Sequence, residues 1–257
     1  MIPYKADVMM QRWPWANWAI IALTVLIAVV DFSYDYYNAP EGLLLYSLNK
    51  EAQIEKVRVE VADYFGEKMA KEYVDELRED LKEYGFKAYQ LVTHAFLHAG
   101  VWHLAGNMIF LFVFGNAVNA KIGHAPYVLI YLLLAVASGI GWVLFPGTGI
   151  RMLGASGAVM GVAGMFLVLY PINEISMMMF LFWRPIFFQL SAVWVLLGYF
   201  VLDTLGFLSG GSDVAHISHV TGMTAGAIGV SVMLLTGFVR PGRGEKTLLE
   251  VLRIKVK

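Results

Sequence analysis

The sequence contains no cysteine and few charged residues. The absence of cysteine among 257 residues excludes disulfides, thiol catalysis and thiolate metal ligands. Charged residues make up 15% of the chain, whereas a soluble domain has about a quarter. A net charge of −1 offers no bulk attraction for nucleic acid, so no nucleic-acid partner is expected. The chain is instead apolar: 58% of its residues are hydrophobic and its mean hydropathy is +0.62, which indicates a multi-pass membrane protein.

Six apolar stretches are long enough to cross about 30 Å of hydrocarbon. They lie near residues 14–31, 100–119, 125–146, 154–171, 186–207 and 216–237. The fourth is short and rich in glycine, which predicts that its neighbours bury it. The first follows two basic residues, as a signal peptide does, but it is long and has no small-residue cleavage site. We therefore expect a retained helix.

The distribution of basic residues predicts the orientation in the membrane. The segment after the last span carries six of them: Arg240, Arg243, Lys246, Arg253, Lys255 and Lys257. Lys5 and Arg12 flank the first span, and Lys121 and Arg184 fall in loops expected on the same side. Loops rich in lysine and arginine stay in the cytoplasm. Both termini are therefore predicted to be cytoplasmic, in a multi-pass protein of the cell membrane.

The first loop contains an amphipathic pattern. Apolar residues recur there at three- and four-residue spacing: Ile54, Val57, Val61, Phe65, Met69, Tyr73, Leu77, Leu81 and Tyr84. Such spacing predicts a helix, or a helical pair broken near Gly66. Two interpretations stay open, a solvated extracellular insert and a cap on the membrane surface that shapes substrate access.

These features predict an all-α membrane protein, a six-transmembrane-helix bundle with an extracellular helical insert in its first loop. Residues 1–31 would form the N-terminal segment and first helix, and 32–99 the extracellular loop. Residues 100–237 would form helices two to six with the catalytic site, and 238–257 a basic cytoplasmic tail.

Polar residues with catalytic potential gather at the start of three predicted spans. Spans two, four and six run in the same direction, so their N-terminal ends share the outer face. His103 and Asn107 begin span two, Ser156 begins span four and His219 begins span six. Polar groups at membrane depth are costly and usually mark function.

Ser156 and His219 are the candidate nucleophile and base. A serine hydroxyl needs a neighbour that removes its proton, and histidine is the usual choice. His219 can do this if spans four and six touch. Glycines at helical spacing favour that contact because they let helix backbones approach closely: Gly157, Gly161 and Gly164 in span four, and Gly222, Gly226 and Gly229 in span six.

Acyl transfer also requires hydrogen-bond donors for the developing oxyanion. His103 and Asn107 are four residues apart on one helix face and are the candidates. His94, His98 and His216 are interpreted as structural. No carboxylate is expected to orient His219, because Asp213 lies six residues upstream and Asp203 lies deep in span five. A Ser–His dyad is therefore predicted, although whether either aspartate tunes the site is left open.

A metal site is the competing chemistry. His216 and His219 resemble half of such a site, but a metalloprotease helix would place a glutamate between its two histidines, and none is near. Neither a metal nor a cofactor is expected.

Three motifs resemble those of the rhomboid intramembrane serine proteases, over about residues 88–237. Residues 98–107 are similar to the family's H-x-x-x-x-H-x-x-x-N, and residues 154–157 to its G-x-S-G. Residues 219–226 resemble its H-x-x-G-x-x-x-G. Departures are the sequence Ala-Tyr-Gln-Leu at 88–91, where many members have Trp-Arg, a methionine at 160, and the long insert.

The resemblance implies a six-helix core in which Ser156 is the nucleophile and His219 the base. It implies an oxyanion site made of His103, Asn107 and the Ser156 backbone N–H. It also implies that the substrates are single transmembrane helices in the lipid bilayer, with the fifth helix and the loop before the sixth as gate and lid.

Two other functions remain open on the sequence. One is a catalytically inert rhomboid-like protein that binds transmembrane helices, although such relatives lose the serine or histidine that this chain keeps. The other is a small transporter, although the chain has no intramembrane carboxylate pair or obvious inverted repeat. The oligomeric state and substrate identity are not predicted.

Overall fold

The computed structural model describes residues 1–33, 44–46, 50–83, 85–145, 151–209 and 215–256. Its helices are α1 Trp15–Ser33, α2 Lys50–Phe65, α3 Glu67–Glu83, α4 Gln90–Thr93, α5 Val101–Phe110, α6 Asn116–Ile122, α7 His124–Leu144, α8 Ser156–Leu169, α9 Ala192–Ser209, α10 His216–Thr236 and α11 Leu248–Val251. Its strands are β1 Ile2–Ala6, β2 Leu45–Tyr46, β3 Arg151–Met152, β4 Glu174–Leu181 and β5 Arg184–Ser191. A 3₁₀ turn, His94–Phe96, precedes α5, and a π-helical segment, Leu111–Gly115, joins α5 to α6.

Within the described residues, five helical segments are long and apolar enough to cross a membrane. They are Trp15–Phe32, Val101–Ile122, His124–Leu144, Ala192–Ser209 and His216–Thr236, the second of which combines α5, the π segment and α6. Helix α8 is shorter, with 14 residues, and nearly all of its side chains are buried. The prediction that neighbours bury the fourth apolar stretch is confirmed. The protein is thus mostly helical, with α8 at the centre of its main core.

Helices α8 and α10 pack with their backbones in direct contact. A Cβ atom added to Gly226 would lie 1.8 Å from the carbonyl oxygen of Gly161, and one added to Gly222 would lie 2.0 Å from that of Gly157. No larger residue fits at either position unless the helices separate. The sequence analysis placed Gly161 among the glycines that allow contact with α10, but a Cβ atom added to Gly161 would instead meet Leu134 of α7.

The fifth span begins later than predicted, at Ala192 and not near residue 186. Residues 184–191 form strand β5, which pairs antiparallel with β4, and β1 pairs with the other edge of β4. Hydropathy alone does not separate a short apolar strand from the first turns of a membrane helix. The prediction therefore assigned β5 to the helix.

The first-loop insert is a pair of helices that reverses at Gly66, where φ is +86°. Glycine adopts this left-handed conformation without the Cβ penalty of other residues. The predicted break near Gly66 is thus confirmed. Arg58 of α2 bridges the turn by pairing with Glu67 of α3 at 2.8 Å.

The predicted apolar stripe of the insert is only partly buried. Ile54 of the stripe packs in a small separate core with Leu44, Tyr46, Leu97 and Val74, and Val74 was not part of the predicted stripe. Phe65, Met69 and Tyr73 were placed in the stripe but are 71%, 52% and 49% exposed. The turn at Gly66 restarts the helical phase, so one continuous periodicity does not hold across both helices. Tyr84 lies outside the described residues.

A polar network ties α1 to the segment between α5 and α7. The Asn17 amide donates to the Leu111 carbonyl at 2.9 Å, and the Tyr127 hydroxyl donates to Asn17 Oδ1 at 2.6 Å. Leu111 begins the π segment, whose i→i+5 pattern disturbs the normal helical bonding. Asn17 therefore satisfies a backbone group inside an apolar bundle.

Both terminal segments lie at the end of the bundle where α6 and α8 finish. Strand β1 pairs with β4, which follows α8. Beyond α10, Glu245 forms an ion pair with Lys121, near the end of α6. The starts of α5, α8 and α10 lie at the opposite end, together with His103, Ser156 and His219.

Candidate active site

Ser156 is the first residue of α8 and follows a strained turn. Gly154 has a φ of +122°, and its N–H donates to the carbonyl of His94 at 2.9 Å. This turn places the Ser156 side chain at the helix N-terminus, where it is only partly buried. The first N–H groups of a helix have no partner within it and carry partial positive charge, so they favour a nearby anion.

His219 lies in the first turn of α10 and contacts the serine directly. The distance between its Nε2 atom and Ser156 Oγ is 2.8 Å. The close α8–α10 packing at Gly222 and Gly226 brings the two side chains together. The structure thus places the serine and histidine within hydrogen-bond distance, the condition on which the sequence hypothesis depended.

Asp203 is the site residue that the sequence interpretation missed. Its Oδ1 atom lies 2.9 Å from Nδ1 of His219 and 2.8 Å from Nδ1 of His216. The expectation that no carboxylate orients His219 is therefore wrong. Asp203 lies six residues before the end of α9 at Ser209, and this last part of α9 packs beside the first turn of α10, which carries His216 and His219. The sequence did contain a signal for Asp203, because an ionisable residue within a membrane span usually marks a functional site. Asp213 lies outside the described residues.

The three groups define a tautomer for His219. A carboxylate only accepts hydrogen bonds, so Nδ1 of His219 carries the proton that faces Asp203. The lone pair on Nε2 then accepts a hydrogen bond from the Ser156 hydroxyl. A neutral imidazole in this tautomer is set to take a proton from serine.

His103 faces the same turn from α5. Its Nδ1 atom accepts a long hydrogen bond, 3.4 Å, from the Ala99 N–H, which leaves Nε2 to carry the proton in the neutral ring. The Cβ position of Gly154 is 3.0 Å from this Nε2 and 3.8 Å from Ser156 Oγ. An N–H donor thus lies beside the serine, and any side chain at residue 154 would collide with the His103 ring.

Asn107 lies one helical turn below His103 and is 7% exposed. Its amide Nδ2 donates to the His103 carbonyl at 3.1 Å. The amide has a second hydrogen that this bond leaves available. Asn107 therefore shares the helix face of His103, as the four-residue spacing predicted.

Two further histidines support the loop before α5. His94 and His98 are 1% and 3% exposed. Burial lowers the pKa of His94 to about 4, and burial together with the nearby His103 lowers the pKa of His98 to about 4. Both rings are therefore neutral at physiological pH. The His98 ring packs edge-on against His103 at 5.1 Å between centroids, which fits the structural role predicted for it.

Among the described residues, one group has the donor set of a metal site. It consists of Asp203, His216 and His219, whose ligand atoms all lie within 4.8 Å of one another. The sequence suggested only the two histidines as half of such a site.

The fold and site together define an integral membrane protein in which a serine, a histidine and an aspartate meet at one end of the helices. The chain belongs to the rhomboid family, since the sequence model of the Rhomboid domain matches residues 85–236.

The chain is also similar in sequence to individual rhomboid proteins. The chain is similar to rhomboid-like protein 11 of Arabidopsis thaliana chloroplasts, with 30% identity over 159 residues, or 57% of this chain. It is 28% identical to the rhomboid protease GlpG of Yersinia pseudotuberculosis over 141 residues, or 54% of this chain. It is 31% identical to the mitochondrial rhomboid protein 1 of Saccharomyces cerevisiae over 105 residues, or 38%. The matches span 52%, 46% and 30% of these relatives, about half of their length or less.

Proposed function

We propose that this protein is an intramembrane serine endopeptidase that hydrolyses peptide bonds in or near transmembrane segments of other membrane proteins. The observation that carries the proposal is the hydrogen-bonded series Ser156 Oγ, His219 Nε2, His219 Nδ1 and Asp203 Oδ1, with distances of 2.8 and 2.9 Å. Membership of a family that includes named rhomboid proteases supports the same function.

The geometry supports a covalent mechanism. Ser156 Oγ attacks the peptide carbonyl carbon while His219 Nε2 takes the hydroxyl proton. His219 then gives that proton to the leaving amine nitrogen, and the acyl group stays on Ser156. Water attacks the ester, again with His219 as base, and restores the serine. Asp203 accepts the Nδ1–H bond throughout and stabilises the transient imidazolium.

The oxyanion would be held by three donors: the Ser156 backbone N–H, Nε2–H of His103 and the free Nδ2–H of Asn107. The first is supported by the position of Ser156 at the start of α8. The others are supported by the placement of α5, whose polar face meets the Gly154 turn. Each such preorganised donor stabilises the transition state that leads to a tetrahedral intermediate by about 2.7–4 kcal/mol.

The proposed arrangement in the cell membrane has six transmembrane helices, of which the short α8 is one. The insert at 50–83 lies outside, within the first loop at 32–99, and both termini are cytoplasmic. The small core of the insert includes Leu97 and contacts Leu153, and both residues adjoin the active-site end. Both terminal segments lie at the opposite end, where β1 pairs with β4 and Glu245 pairs with Lys121. Single-span membrane proteins are the proposed substrates.

The test uses purified protein, a panel of transmembrane-helix substrates and a serine-directed fluorophosphonate. Wild type should cleave and be labelled. Ser156→Ala and His219→Ala should each lose cleavage, and the double variant should be no worse than either, because the two residues act as a unit. Folding is checked by thermal melting. A folded wild type that neither cleaves nor reacts would support an inert helix-binding protein instead.

A further inference from the structure

Asp203, His216 and His219 form a cluster of three potential metal ligands, one more side chain than the proposed serine-protease mechanism uses. Both imidazole Nδ1 atoms point at one carboxylate oxygen, at 2.8 and 2.9 Å. Only the His219 bond serves the proposed mechanism. His216 brings a third potential ligand to the same point, one helical turn before His219.

We propose that this cluster binds a divalent transition-metal ion, with Zn²⁺ as the expected species, and that the bound ion switches the protease off. Two imidazoles and a carboxylate suit borderline ions such as Zn²⁺, whereas Mg²⁺ and Ca²⁺ prefer oxygen ligands. The inhibitory part of this inference rests on the proposed function, but the binding part does not.

The geometry permits such a site with small side-chain adjustments. Ligands about 2.0–2.2 Å from a tetrahedral zinc ion lie about 3.3 Å from one another. The three ligand atoms lie within 4.8 Å of one another, and two of the pairs are already at hydrogen-bond distance. The side chains are 14–19% exposed, so an ion can enter and a water molecule can complete the coordination.

Inhibition follows from the proton positions. The ion needs the lone pair of His219 Nδ1, which in the active tautomer carries the proton. The neutral ring keeps that one proton, which moves to Nε2. Nε2–H then donates to Ser156 Oγ and no longer accepts from it, so the serine loses its general base. The ion also takes the Asp203 oxygen that orients the ring.

Binding is tested without reference to catalysis. The protein carrying Ser156→Ala retains all three ligands, and its calorimetric titration with ZnCl₂ should give one site per chain. Co²⁺ in place of Zn²⁺ should give the visible absorption bands of a tetrahedral site. Adding His216→Ala or Asp203→Asn should weaken binding at least about tenfold. His124→Asn, at the opposite end of the bundle, is the matched control and should leave binding unchanged.

Absence of saturable binding overturns the assignment, and so does binding that survives His216→Ala or that is lost in His124→Asn. Loss on replacement of His98 or His103 instead would place the ion in that neighbouring pair and would equally overturn it.

Inhibition is tested with the wild type on a transmembrane substrate. Zn²⁺ should stop cleavage and a chelator should restore it. His216→Asn should keep cleavage within about tenfold of wild type, because asparagine can still donate to Asp203, but should need at least about tenfold more Zn²⁺ for half inhibition. Full activity with the site filled would overturn the switch. No cleavage in metal-free protein that nevertheless binds zinc would refute the protease and leave the metal site standing.

Discussion

At the scale of single residues, the proposed active site depends on three side chains from three helices. Ser156 comes from α8, Asp203 from α9 and His219 from α10, and both ring nitrogens of His219 link the serine hydroxyl to the carboxylate in one hydrogen-bonded series. In the proposed mechanism, Asp203 holds the proton on the nitrogen of His219 that faces away from the serine.

Asp203→Asn should reduce kcat by about 10²–10⁴-fold, the range spanned by loss of a positioned proton-transfer group or of a triad aspartate. An asparagine can donate to Nδ1, which would favour the tautomer with the proton on Nε2 and block the base. The melting temperature should change little because the amide is isosteric. The measurement is kcat and KM on one transmembrane substrate, with KM nearly unchanged.

The control for this variant is Thr204→Val. The Thr204 hydroxyl donates to the Phe200 carbonyl of its own helix and has no role in the site. The Thr204→Val protein should keep the wild-type kcat. Equal activity of Asp203→Asn and wild type would show that His219 works without the carboxylate, as a dyad.

At the scale of elements, the α8–α10 interface sets the distance between serine and histidine. Its glycines are not equivalent. Gly226 faces the Gly161 carbonyl at a distance that excludes any side chain, whereas Gly229, three residues later, has open space around its Cβ position.

Gly226→Leu should therefore separate α8 from α10, lower the melting temperature and abolish cleavage. Gly229→Leu makes the same chemical change on the exposed side of the helix and should retain nearly full activity and stability. The two proteins are compared by thermal melting and by cleavage rate in one detergent. Equal behaviour would mean that the close packing does not position His219.

The insert is an element with its own core, and its role can be tested by single substitutions. Val74 is 5% exposed and contacts that core, whereas its neighbour Tyr73 is 49% exposed. Val74→Asp buries a charge and should destabilise the helix pair by about 3 kcal/mol. Tyr73→Asp should have little effect.

If the insert borders the route by which substrates enter, Val74→Asp should slow cleavage of a membrane-embedded helix more than that of a short soluble peptide. Parallel assays of both substrates decide this. Equal loss on both would make the insert part of the structural core, and no loss on either would make it a solvated appendage.

At the scale of the whole molecule, the helices place the proposed catalytic groups at one end and both terminal segments at the other. The pairing of β1 with β4 holds the N-terminal segment at this end, and the Lys121–Glu245 ion pair holds the C-terminal segment there. A charged pair so largely buried depends on both partners. The two ends therefore face opposite sides of any membrane that the helices cross.

The absence of cysteine makes the orientation directly measurable. Single substitutions Glu67→Cys, in the insert, and Lys255→Cys, in the tail, each introduce one thiol at an exposed position. A membrane-impermeant maleimide should label Glu67→Cys in intact cells and Lys255→Cys only after lysis. The reverse pattern would invert the predicted orientation and place the active site on the cytoplasmic side.

Much of this protein could be predicted from local sequence. Hydropathy located the apolar helices, because the bilayer requires continuous apolar runs whose backbone bonds are internal. The glycine spacing indicated that α8 and α10 meet, since only small residues allow such contact in lipid. The direction of the spans brought His103, Asn107, Ser156 and His219 to one end.

Only the tertiary structure decided the remaining features. The β4–β5 hairpin set the start of α9 at Ala192, because residues 184–191 pair with β4 and hydropathy alone does not separate an apolar strand from a membrane helix. The turn at Gly66 ended α2 and began α3, so the apolar periodicity of one helix does not continue into the other. The contact between Asp203 and His219 joins two helices at a depth set by where each begins, so it follows from packing between elements and not from any local pattern.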